Sequence, residues 1–182
     1  MIWDRWLSML WSAVEETGQA QHTDIFWVSD HGQRDVRRNI SLNVLFAENG
    51  FIRLAQDGSV ASWDAYCLSN GMSAVVFLRD KENLSLQKKV FSFLEKLQAE
   101  EVYGFTRIYT EEESRREEHF GGSFSFVLET DGYTSFGDYL DRPLVRDLSN
   151  EDYRFGAATH GYLPNTVPQP ILLAKDPSIR KM

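Results

Sequence analysis

Two short stretches of this chain carry the residues best suited to chemistry, and in each a histidine directly precedes a glycine. The first, "FWVSDHGQ" at residues 26–33, sets Asp30 and His31 side by side where a run of strand-forming residues stops. The second, "ATHGYLPNTVPQP" at residues 158–170, sets His160 before Gly161 in a loop leading to the last apolar segment. Carboxylate oxygen and imidazole nitrogen are donors that zinc and similar borderline cations favour, and catalytic sites collect them from distant parts of a chain. Neighbouring strand residues point to opposite faces, so Asp30 and His31 can share one ion only if the backbone leaves strand geometry there. Gly32 is expected to supply the bend through backbone angles closed to other residues. Taken alone, an Asp-His pair is more often a capped turn or a hydrogen-bonded loop.

The remaining candidates have plainer readings. His22, in "QAQHTD", reads as a solvated loop residue, and His119 ends a charged helix where a cation favours the helix dipole. The run Glu111–Glu118 reads as a solvated face with opposite charges at helical spacing. Tyr133, Thr134 and Phe136, close to Asp131, could line a substrate pocket or pack against the core.

These residues need elements to hold them. Ile2, Trp6, Met9, Leu10 and Val14 recur at helical spacing, predicting an amphipathic helix over residues 3–17 that ends near Gly18. The segment "DIFWVS" (24–29) predicts a short strand, buried on both faces as in the parallel sheet of an α/β protein, with a polar loop at its carboxyl end. A short helix at 42–48 stops at Asn49-Gly50, and two strands at 65–69 and 73–80 are joined by the hairpin signal Asn70-Gly71. A helix over 85–100, a strand at 105–110, a helix at 111–119 and a strand at 123–130 complete a ββαβαβ lobe. A last strand is expected at 170–176. The expected fold is α/β: a mostly parallel core sheet from residues 1–50 and 131–182, with an inserted α+β, ferredoxin-like lobe at 51–130.

Bulk properties narrow the functional classes. With 182 residues, 42% of them apolar, the chain can build one main core and a small second lobe. A net charge of -8 disfavours a nucleic-acid duplex as partner. It leaves room for a small phosphorylated substrate, because bound divalent cations can dominate the local field. The single Cys67 excludes an intrachain disulfide. No apolar run approaches a membrane span, and Asp4 and Arg5 interrupt any signal-like start.

"FWVSDHGQ" resembles the Ser-Asp-His-Gly signature of the alkaline phosphatase superfamily, especially its nucleotide pyrophosphatase/phosphodiesterase branch. "ATHGYLPNTVPQPILLAKDP" is similar to the later His-Gly element of that branch, with Asp176 in place of an expected glycine. "GMSAVVFLRD" (71–80) and "DGYTSFGDY" (131–139) add to the likeness. The resemblance implies two divalent ions, zinc or alternatively manganese, with Asp30 and His31 on one and His160 on the other. The implied substrate is a phosphodiester or nucleotide. The implied chemistry is attack on phosphorus by a metal-activated hydroxyl, both ions clamping the attacking and leaving oxygens.

The family's nucleophile and its Asp-x-x-x-His motif have no counterpart, and no Asp-x-x-x-His occurs in these residues. The chain is therefore expected to be the C-terminal part of a longer enzyme, without its nucleophile and inactive alone. Apolar surface uncovered in such a part is expected to drive self-association. A phosphonate hydrolase of the same superfamily, and a non-catalytic binding module that keeps the fold, are the alternatives.

Overall fold

The computed structural model describes residues 2–148, 158–163 and 169–175, with side chains from residue 4 onward. These residues divide into two compact units, one from the two ends of the chain and one from residues 33–169.

In the terminal unit, α1 (Ile2–Glu16) is followed by a 3₁₀ turn at Ala20–His22 and by β1 (Ile25–Val28). The predicted stop at Gly18 is a Schellman ending: Gly18 takes φ +69°, its N–H donates to Glu15, and the Gln19 N–H donates to Val14. β1 pairs antiparallel with β13 (Leu172–Lys175), Ile25 opposite Lys175 and Val28 opposite Leu172. Ile25 and Trp27 are half-buried while Phe26 and Val28 are exposed. A continuous apolar run records how much surface a strand could bury, and does not choose its partner or direction. The two-sided burial and parallel pairing expected of β1 are not found.

The second unit is built on α2 (Leu42–Glu48) and a four-stranded sheet. The sheet comprises β6 (Ala65–Ser69), β7 (Ser73–Leu78), β8 (Phe105–Thr110) and β9 (Phe126–Thr130), in the order β6-β7-β9-β8, every pairing antiparallel. Helices α3 (Leu84–Ala99) and α4 (Glu111–Glu118) connect β7 to β8 and β8 to β9. The chain order is the expected ββαβαβ. It differs from the βαββαβ order of a ferredoxin-like lobe, so that finer label does not apply.

Period-two alternation lets the sheet bury both faces. Ala74, Val76, Leu78, Phe126 and Leu128 pack with Val90, Leu94 and Leu97 of α3. Val75 and Val127 face the other way, against Tyr109, Phe124 and Leu163. α2 ends as predicted, with Gly50 at φ +75° and the Phe51 N–H donating to Phe46.

Smaller pairings complete the second unit. β4 (Ile52–Leu54) and β5 (Val60–Trp63) form a hairpin that the sequence reading omitted. β3 (Arg38–Ile40) lies between β10 (Thr134–Phe136), to which it is parallel, and β11 (Val145–Asp147), to which it is antiparallel. β2 (Arg34–Asp35) pairs antiparallel with β12 (Ala158–Thr159). Among the described strands β3–β10 is the parallel contact, so the mostly parallel core sheet is not seen. What the chain has is a mixed α/β arrangement of several small sheets.

Candidate metal-ligand loops

The Asp30-His31 loop begins where the β1–β13 ladder runs out. The Ser29 N–H donates to the Ile171 carbonyl at 3.0 Å, and the Ile171 N–H donates back to the Ser29 hydroxyl at 2.9 Å. Beyond this clasp the backbone leaves the strand, and both functional side chains turn towards each other. The His31 N–H donates to Asp30 Oδ1 at 3.0 Å, and His31 Nε2 lies 3.3 Å from Asp30 Oδ2. The imidazole Nδ1 is 3.0 Å from the Gly32 carbonyl oxygen, which can only accept, so Nδ1 carries a proton.

This contact has a chemical consequence. With Nδ1 donating, Nε2 of a neutral ring presents a lone pair to a carboxylate lone pair, an approach that only a proton or a cation makes favourable. Ligands about 2.0–2.1 Å from a tetrahedral zinc lie roughly 3.3–3.4 Å apart, which is the separation found here. The Nδ1–H donation to a backbone carbonyl is also the kind of support that orients metal-bound histidines. Both donors are accessible, the His31 side chain 37% and the Asp30 side chain 85% exposed. The residues therefore fit the edge of a divalent-metal site. Gly32 contributes its carbonyl and is not among the positive-φ glycines, so the bend does not depend on glycine's special angles as expected.

His160 belongs to the second unit and is held differently. The preceding residues form β12, the His160 carbonyl accepts from the Met72 N–H at 2.8 Å, and the Ser73 hydroxyl donates to the Gly161 carbonyl. Three residues on, Leu163 is buried on the sheet, its N–H 3.3 Å from both oxygens of the buried Glu129. The backbone is thus clamped against the β6–β7 turn while the His160 side chain stays exposed.

Gly161 is required by this clamp. It takes φ +86°, and a Cβ there would overlap the Asn70 carbonyl, 2.6 Å from its carbon. Gly71, at φ +83°, faces it, with the His160 carbonyl carbon 3.2 Å from where its own Cβ would lie. The His-Gly pairing legible in the sequence is therefore a packing requirement at 160–161.

A cleft of about 630 Å³ opens beside this loop, within the usual range for small-ligand sites. Its polar lining includes Asn39, Ser69, Ser135, Arg146 and Thr159, and Phe136 and Tyr139 supply aromatic wall. Arg146 stacks 3.7 Å from the Tyr139 ring centroid and pairs with Asp141 at 3.0 Å. Burial raises the Tyr139 phenol above its ordinary value, so it stays protonated and donates to the Leu144 carbonyl at 2.8 Å.

Of the residues singled out near Asp131, Phe136 lines the cleft. Thr134 is buried, its hydroxyl accepting from Arg38 at 2.9 Å and donating to Asp131 at 3.0 Å, and Tyr133 is exposed. Arg146 and Asn39 were missed; no local motif marks them, because β3 meeting both β10 and β11 brings them together. His22 lies exposed on the 3₁₀ turn, and His119 caps α4 at φ +55°. Asp176 lies outside the described residues. Among the described residues no group of three or more His, Cys, Asp or Glu could hold a metal ion, and no helix is long and apolar enough to cross a membrane.

Comparison with known families now decides the affiliation. Residues 3–163 match the family described as type I phosphodiesterase/nucleotide pyrophosphatase. The chain belongs to that family. This agrees with the reading of the Ser-Asp-His-Gly and Thr-His-Gly motifs. Murine ectonucleotide pyrophosphatase/phosphodiesterase 5 shares the fold at 16% identity and a TM-score of 0.57, over 98% of this chain and 40% of that one. An inactive variant of the same murine protein, in complex with AMP, gives 17% identity and a TM-score of 0.58 over the same shares of 98% and 40%. Phosphonoacetate hydrolase from Sinorhizobium meliloti, with phosphonoformate, gives 18% identity and a TM-score of 0.45 over 87% of this chain and 38% of that one. The chain thus spans about two fifths of the length of the murine structures. None of the curated proteins compared with it matches.

Proposed function

We propose that this chain is the C-terminal part of a metal-dependent phosphoric-ester hydrolase of the phosphodiesterase/nucleotide pyrophosphatase type. Asp30 and His31 hold one divalent ion and His160 a second, the ions being zinc or manganese. When bound, such a pair supplies charge stabilisation at the attacking and leaving oxygens of an in-line displacement. The observation that carries the reading is the family match over residues 3–163, joined to a His31–Asp30 contact with the spacing of two ligands on one ion.

This chain's own residues do the positioning. The Gly32 carbonyl fixes the ring of His31 so that Nε2 is its ligand atom, and the Met72 and Ser73 hydrogen bonds hold the backbone that presents His160. The nucleophile and remaining ligands come from polypeptide beyond these residues, a proposal supported by the 40% coverage of the murine fold. Alone, the chain binds zinc weakly and hydrolyses nothing. Its substrate class is a phosphodiester or nucleotide, in keeping with a relative that binds AMP.

The assignment of residues 1–50 and 131–182 to the phosphatase-like core, with 51–130 as an inserted lobe, is kept as part of the proposal. Strand pairing supports it: β1–β13, β2–β12 and β3–β10 each join one core segment to the other, and β4 to β9 pair among themselves.

The test is hydrolysis of a nitrophenyl phosphodiester by the full-length protein, with and without chelator. Chelator-sensitive turnover that is lost in His31→Ala and His160→Ala supports the assignment. Turnover untouched by chelator excludes it.

A further inference from the structure

The metal-ligand assignment leaves unused a cluster at the edge of the second unit. Tyr133, 50% exposed, lies between β9 and β10, with the Arg37 guanidinium carbon 4.9 Å and that of Arg34 5.8 Å from its ring centroid. The Arg37 N–H donates to the Tyr133 carbonyl at 2.8 Å, tying the two segments together. Arg34 rests on Gly132: a Cβ there would lie 3.1 Å from its Nη2 and 3.3 Å from its guanidinium carbon. The missing side chain is the seat of the guanidinium.

Like Arg5 and Arg79, these two arginines have no carboxylate partner among the described residues. In a chain of net charge -8, Arg38 pairs with Asp131 at 3.2 Å, Arg53 with Asp64 at 2.9 Å, Arg142 with Glu48 at 2.7 Å and Arg146 with Asp141 at 3.0 Å. Neither Arg34 nor Arg37 makes an ion pair among the described residues. A guanidinium stacked on an aromatic ring uses its π face and keeps its in-plane N–H fork available. Such a fork matches the oxygens of phosphate, which arginine binds bidentately, and here two guanidinia lie within 6 Å of one ring centroid. Arg34 is also the register partner of Thr159, the residue before His160.

We propose that Arg34, Arg37 and Tyr133 form an oxyanion subsite that takes a phosphate group of the substrate other than the one being cleaved. Its role in substrate recognition rests on the hydrolase reading; the anion binding itself does not.

The test is titration of this chain with inorganic pyrophosphate in the presence of EDTA, followed by calorimetry and ³¹P line broadening. Saturable binding is expected, weakening as salt is raised and persisting in His31→Ala. Arg34→Gln or Arg37→Gln should each lower affinity about tenfold or more, the scale of a lost charge-assisted hydrogen bond. Arg37→Lys, which keeps the charge and removes the fork, should fall between wild type and Arg37→Gln. Arg53→Gln, with an unchanged melting curve, is the control. Absence of saturable binding, or equal losses in Arg53→Gln and Arg37→Gln, overturns the proposal. Because EDTA removes metal, failure here is distinguishable from failure of the metal assignment, which is read by chelator-sensitive turnover.

Discussion

Gly161→Ala tests whether the His160 loop is clamped as described. Alanine at φ +86° costs about 1–2 kcal/mol for the left-handed backbone alone. A Cβ overlapping the Asn70 carbonyl also pushes the loop off the β6–β7 turn, breaking the Met72–His160 and Ser73–Gly161 hydrogen bonds at about 1 kcal/mol each. The expected destabilisation is therefore about 3–4 kcal/mol. Gly58→Ala is the matched control, since Gly58 takes φ +81° with nothing within 4 Å of its Cβ position, so only the backbone cost of about 1–2 kcal/mol applies. Urea unfolding followed by fluorescence reads both, and hydrogen exchange at the Met72 amide reads the clamp directly. Gly161→Ala should lower the midpoint roughly twice as far as Gly58→Ala and deprotect Met72. Equal losses with Met72 still protected would refute the packing argument.

Two further outcomes follow from particular contacts. The Thr110 backbone and side chain donate to the Glu113 carboxyl and hold its pKa below the usual carboxylate value. A depressed folded pKa stabilises above the unfolded value, about 4.3, and that stability is lost as pH falls through the folded value. Thr110→Ala, which removes the cap, should therefore cost about 1 kcal/mol at neutral pH and less in acid; an unchanged difference in acid unfolding midpoints would contradict this. In the terminal unit, Phe26, Val28 and Leu172 share one face of the β1–β13 pair and are 61%, 63% and 66% exposed. The chain should self-associate with concentration in sedimentation velocity, and Val28→Glu with Leu172→Glu should shift it towards monomer. A monomer at every concentration would count against that exposed face as a driver.

Local signals were legible and partnerships were not. Gly18 and Asn49-Gly50 stop their helices because their backbone angles close Schellman endings, a property of a few adjacent residues. Asn70-Gly71 marks its hairpin for the same reason, and the ββαβαβ order followed from periodicity. The β4–β5 hairpin carries an equally good signal in Asp57-Gly58, where Asp57 accepts from the Ser59 N–H at 3.0 Å. β1 pairs antiparallel with β13, a direction that apolar content cannot specify, because it says nothing about which distant segment will pair with the strand. The motif residues Asp30, His31 and His160 stood out through their spacing from glycine. Arg34, Arg37 and Arg146 gain meaning only when β2, β3 and β11 find their partners.

The central claim is coordination by Asp30, His31 and His160, and anomalous diffraction at the zinc edge from crystals of the full-length protein tests it most directly. The account predicts one peak about 2.0–2.2 Å from His31 Nε2 and an Asp30 carboxylate oxygen, and another at similar distance from a His160 ring nitrogen. Occupied zinc sites that leave these three side chains uncoordinated would contradict it.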